Sequence, residues 1–169
     1  TINPSALTLP DLMLEVWGSC DIADETYLDM GFRATNTGLD VLNFLLRGIL
    51  DMDEIEQIGS GSIRLDGQVT GTLGNELPLI RCNGTADQIG FRIKSIQKDI
   101  TGISFSAFAS NGTKPDLSEG ILQVEGFRAS FPEGYITGRL SAKNMITPEV
   151  DLEANGDVDL GGLERMLKS

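Results

Sequence analysis

Ile63-Arg64-Leu65-Asp66-Gly67-Gln68-Val69-Thr70-Gly71 is the stretch that decides the fold class. Aliphatic residues and glycines take every odd position and polar residues every even one, the period of a strand with one dry and one wet face. The alternation recurs on both sides of it. It runs through Leu12, Leu14 and Val16; Leu28, Met30, Phe32 and Ala34; Ile80 and Cys82; Ile103, Phe105 and Ala107; Leu122 and Val124; Ile136, Gly138, Leu140 and Ala142; and Val150, Leu152 and Ala154. The residues between are mostly polar, among them Glu15, Arg33, Arg81, Gln123, Arg139 and Glu153. A mainly β fold is expected, a curved antiparallel sheet of repeated hairpins. Glycines inside strand patterns, at Gly67, Gly71, Gly126 and Gly138, are expected to mark bulges that let the sheet curl.

Three segments share the pattern Pro-x-aliphatic-x-(Leu or Cys): Pro10 to Leu14, Pro78 to Cys82 and Pro148 to Leu152. The prolines lie roughly 70 positions apart, which predicts a chain built from copies of one β unit. One longer and one short helix are predicted beside the strands. Thr37 and Asp40 have capping-box spacing, and Leu39, Leu42, Leu46 and Ile49 follow at helical spacing, giving a helix over Leu39 to Asp51. The short helix is expected within Leu160 to Leu167.

The 169 residues fit a single domain, 1–169, long enough to bury a core without staples. With 13 basic against 25 acidic residues the net charge is −12, and the basic residues do not cluster, so nucleic acid is excluded as a partner. The same charge opposes docking on an anionic membrane surface. No stretch reaches the roughly 18 apolar residues of a membrane-spanning helix. The opening Thr1-Ile2-Asn3-Pro4 lacks an initiator Met and a signal-like block, so a piece of a longer polypeptide is expected, with any anchor outside it.

The chemistry-bearing residues are few. Histidine is absent, which removes Ser-His-Asp and Cys-His arrangements and His-based zinc sites. Two acidic strings fail as calcium loops: the one from Asp157 places Lys168, and the one from Asp51 places Ser62, where a bidentate Glu is required. Gly59 opens a string resembling a dinucleotide fingerprint, but Arg64 stands where its third glycine belongs. No cofactor or metal is expected, and the domain is expected not to be an enzyme. Asn111-Gly112-Thr113 reads as a hairpin turn. Asn83-Gly84-Thr85 stays open between strand and glycosylation acceptor. Cys82 occupies a packing position, and a Cys20–Cys82 disulfide is possible in an oxidising compartment.

Roughly ten strands spaced ~4.8 Å apart make a sheet about 45 Å across, whereas a helix is only ~10 Å wide. The dry face therefore needs another cover: the sheet folding into a sandwich, another part of the parent chain, or an apolar ligand.

The order of features resembles the AsmA-like family of Gram-negative envelope proteins, which includes TamB-like members. The resemblance rests on the helix "LDVLNFLL" from Leu39, then an acidic spacer, then "GSGSIRLDGQVTGTLGNELPLI" from Gly59. It continues in "LQVEGFRASFPEGYITGRLSAKNMITPEVDLEANGDVDLGGLERML" from Leu122, and it covers about Asp11 to Leu167. It implies a non-enzymatic periplasmic domain in outer-membrane biogenesis, anchored to the inner membrane by a segment not in this chain. It also implies a curved sheet whose apolar groove binds or conducts phospholipid or another acyl-chain ligand. The groove residues are then Leu12, Leu14, Leu28, Met30, Ile63, Leu65, Val69, Leu122, Val124, Ile136 and Leu140. The alternative is a module with a closed β-sandwich core that binds envelope assembly proteins.

Overall fold

The computed structural model describes residues 2–9, 12–22, 26–36, 55–57, 61–74, 77–95, 97–114 and 117–159. They form one antiparallel sheet of ten strands: β1 (Ile2–Leu9), β2 (Leu12–Ile22), β3 (Thr26–Asn36), β4 (Ile55–Gln57), β5 (Ser62–Leu73), β6 (Leu79–Ile93), β7 (Lys98–Ser110), β8 (Ile121–Phe131), β9 (Gly134–Lys143) and β10 (Glu149–Val158). Nine of them lie side by side in chain order, and β1 and β10 do not pair, so the sheet is open. The three-residue β4 falls in the stretch read as an acidic spacer. It lies end to end with β5 along one edge of β6, with Gln57 opposite Phe91 and Ser62 opposite Asp87. The helices expected over Leu39–Asp51 and within 160–167 lie outside the described residues.

The elements in substantial contact are sheet neighbours in every case. Among the described residues the sheet is a single meander that does not close on itself. The wide alternating face is one side of a single layer.

Strands do follow all three prolines, because a residue without an N–H is tolerated at a strand start. Yet β6 and β10 run in one direction and β2 runs in the other. The strand after Pro10 enters from the opposite end of the sheet, so the three segments are not copies related by translation.

Three neighbouring strands carry register shifts: β6 between Ala86 and Phe91, β7 between Thr101 and Ser106, and β8 between Val124 and Phe127. Each contains a residue of positive φ, namely Gln88 (+52°), Gly102 (+62°) and Gly126 (+62°). At the first, the Gln88 N–H donates to the Ser104 hydroxyl at 3.1 Å. An extra residue bends a strand and increases its twist, and it also flips the side-chain parity. Ala86 and Ile89 therefore share the dry face although three positions separate them, and so do Val124 and Phe127. Of the four glycines expected at bulges, only Gly126 sits at one. Gly67 lies in regular register opposite Phe32, and a Cβ there would stand 2.6 Å from the Phe32 ring.

At Gly126 a Cβ would meet nothing within 4 Å, so substitution there tests backbone conformation alone. Gly126→Val is expected to lower stability by about 1–2 kcal/mol, the cost of a left-handed β-branched residue, read as a lower urea midpoint. An unchanged midpoint would mean that the bulge relaxes.

The bulges gather beside the largest buried cluster, Ile63, Ala86 and Ile89, against which Leu65, Phe91, Ile103 and Phe105 pack. It is small for the chain, and most of the dry face is only half-buried.

The polar face carries exposed pairs of modest worth: Glu15–Arg33 at 3.6 Å, Arg139–Glu153 at 2.9 Å and the two-point contact of Arg92 with Asp99. Arg33 also lies over the Trp17 ring, which itself covers Gly31.

Asn111 does not make a tight hairpin. It opens a longer loop, 111–120, and its side chain pins the start of β6: the Ile80 N–H donates to Oδ1, and Nδ2 donates to the Pro78 carbonyl, both at 2.7 Å. The Thr113 N–H and hydroxyl both donate to Glu119 Oε2, and Lys114 stands 3.4 Å from Oε1. These bonds, the Thr113 hydroxyl's first, hold the Glu119 carboxyl below the usual range. A depressed carboxylate stabilises the fold above its unfolded pKa of ~4.3, and the contribution disappears as pH falls through the lower folded value. The Thr113 amide resonance is therefore expected to titrate below pH ~4.3 by NMR; a midpoint at or above that value would show that the loop bonds do not form in solution.

Candidate functional site

Cross-strand register converts the alternating residues into rows. One row crosses eight strands without a polar side chain: Leu14, Ala34, Leu65, Gly84, Ala107, Val124, Leu140 and Leu152. Beside it runs a second: Val16, Phe32, Gly67, Cys82, Ala109, Leu122, Ala142 and Val150. Directly paired residues in an antiparallel sheet share a face, so the two rows form one apolar band. At ~4.8 Å per strand the band is about 34 Å long.

At β10 the rows end in exposed residues. On β10, Val150 is 61% and Leu152 68% exposed. Toward β2 the band is half-buried apart from the buried Gly84 and Ala142, and β1 adjoins it with Leu7 opposite Leu14.

Most of the expected groove residues fall on this surface. Leu14, Leu65, Val124 and Leu140 lie in the first row and Leu122 in the second. Met30 pairs with Val69, and Val69 with Ile80, giving a shorter row alongside. Leu28 stands between Cys20 and Gly71 at the end of β3. Ile136 lies opposite Ala129, past the β8 bulge and away from the band. Ile63 is only 6% exposed and belongs to the buried cluster, so it supports the surface rather than lining it. The backbone of Leu12 pairs with Leu9 and Asn36, while its side chain lies outside the described residues.

The list of groove residues drawn from the sequence left out Ala107, Ala109, Phe32, Val150 and Leu152, which complete the rows. Alternation alone marked all of these except Ala109 as dry-face residues. Which of them stand side by side depends on pairing across strands. Phe127, Ala129 and Ile89 were lost because the parity changes at a bulge; a glycine amid strand signals, as at Gly126, was the available cue.

Cys82 sits inside the second row, and burial, aided by the Asp66 carboxylate, raises its thiol pKa, so it contributes a neutral side chain. Both cysteines are free. Three strand spacings, ~14 Å, separate the strands that hold Cys20 and Cys82, far beyond the ~7 Å Cα separation a disulfide tolerates. Asn83 faces the polar side and is exposed.

Among the described residues, no three metal-ligating side chains come together and no helix is long and apolar enough to cross a membrane. Compared with protein families, curated proteins and solved structures, the chain matches none. Its chemistry must be read from its own surface. Apart from the Cys82 thiol the two rows carry no titratable side chain, so the surface can exclude water from an apolar molecule.

Proposed function

We propose that the band binds acyl chains, and that this chain is a non-enzymatic periplasmic domain of an AsmA-like protein that holds or conducts phospholipid in outer-membrane biogenesis. The observation that carries the reading is the pair of adjacent rows spanning eight strands with no charge between them. A contiguous apolar surface of that extent is uncommon on a soluble protein without a partner. An acyl chain is about 15 Å long, half of a ~30 Å hydrocarbon core, so it would cross about three strands. Each methylene it buried would contribute up to about 0.8 kcal/mol. The open edge at β10 leaves a way on and off the surface. The resemblance of "GSGSIRLDGQVTGTLGNELPLI" and "LSAKNMITPEVDL" to AsmA-like segments supplies the family and the compartment, with an inner-membrane anchor outside this chain.

Native mass spectrometry of gently purified protein is expected to find co-purifying phospholipid. A photoreactive residue at Leu140 should crosslink to acyl chains, while one at Gln123, on the polar face, should not. Equal labelling of both faces, or lipid-free protein that takes up none from phosphatidylglycerol–phosphatidylethanolamine vesicles, would overturn the reading.

A further inference from the structure

The polar face holds an apolar island. Leu79, Phe108 and Ile121 are half-buried there, on the side opposite the band, and they floor a cavity of about 520 Å³. Register places them: Arg81 pairs with Ser110, Ser110 with Ile121, and Ile121 with Lys143, so all four share a face, and Leu79 and Phe108 lie two residues before Arg81 and Ser110. The size falls in the range of ~300–1,000 Å³ typical of small-molecule sites. Its wall is preformed, because residues 117–120 are tied to the turn after β9 by Asn144 N–H to Gly120 O at 2.8 Å and Met145 N–H to Leu117 O at 3.2 Å.

Charge decides what fits. In a chain of net charge −12, most described basic side chains are engaged by a carboxylate or a ring. Arg81 and Lys143 have no ion-pair partner within 4 Å among the described residues, and both line this cavity. Of the acids beside them, Glu119 is taken by Thr113 and Lys114, and Glu149 stands across from Lys143. Arg81 is left as the unopposed cation at one end of an apolar floor. A guanidinium offers a planar fork of donors that matches a carboxylate in two-point geometry.

We infer that this cavity is a second binding site, distinct from the acyl-chain band, for a small monocarboxylate with an apolar body, its carboxylate on Arg81 and its body on Leu79, Phe108 and Ile121. The test is a titration of the 169-residue chain with octanoate below its micelle concentration, followed by methyl NMR, which tells the two faces apart. Saturable shifts are expected at the Leu79 and Ile121 methyls, with Arg81→Ala raising the dissociation constant at least tenfold. Octyltrimethylammonium, of similar length and opposite charge, should leave those methyls unmoved. Shifts confined to Leu65, Val124 and Leu140, or affinity unchanged by Arg81→Ala, would overturn the site. Equal binding by octyltrimethylammonium would overturn the carboxylate contact, and equal binding by acetate would overturn the apolar floor. Arg81 is exposed, so its replacement leaves the fold intact, and Phe108→Ser provides an independent loss of binding through the floor.

Discussion

Ile89→Asp is expected to unfold the protein. Ile89 is 3% exposed and touches the cluster of Ile63 and Ala86, which Leu65, Phe91, Ile103 and Phe105 complete. A carboxylate there would be buried without a partner, at a cost of several kcal/mol, against a total stability of about 5–15 kcal/mol for ordinary domains. Far-UV circular dichroism should lose its strand signal, and cooperative melting should vanish. Leu152→Asp is the control: at 68% exposure it should change stability by no more than about 0.5 kcal/mol. If Ile89→Asp melts like the parent, this cluster is not what holds the sheet together.

Val124→Asp is expected to do the reverse: keep the fold and lose the lipid. Val124 lies mid-band between Ala107 and Leu140, half-buried and outside the buried cluster, so a carboxylate there keeps access to water. An acyl chain crossing it would have to desolvate the charge, and at least a tenfold loss of lipid crosslinking from Leu140 should follow. Leu65 lies in the same row but packs on the buried cluster, so Leu65→Asp would confound binding with stability. Unchanged crosslinking in folded Val124→Asp would mean that chains do not run along the band. Loss of the folded state would mean that the band is covered by more than lipid.

Alternation made the strands legible. Residues such as Leu28, Met30 and Phe32, or Leu122 and Val124, are separated by two because a pleated backbone sends successive side chains to opposite faces, a local property of the chain. The bulges were not legible in the same way. Gly67, Gly126 and Gly138 look alike in sequence, yet Gly67 makes room for the Phe32 ring and Gly126 supplies a positive φ. Gln88 takes up a bulge with no glycine at all, because the Ser104 hydroxyl from the next strand receives its N–H. The proline segments were legible only in part, for a related reason. A proline reports that a strand starts, and nothing in it reports the direction of that strand across the sheet.

The sequence by itself determined the class of fold, the sign of the surface charge, the absence of histidine chemistry and which residues share a face between bulges, since each depends on composition or on neighbours along the chain. Tertiary structure alone decided that the dry face is one side of an open sheet, that Leu14 and Leu152 fall in a single row, and that Ile63 supports that surface from a buried cluster. It also decided that Arg81 and Lys143 line one cavity floored in part by Phe108 on the other side. Rows and cavities are made by pairing between residues far apart in the chain, and register and closure are set by the sum of those pairings rather than by any local pattern.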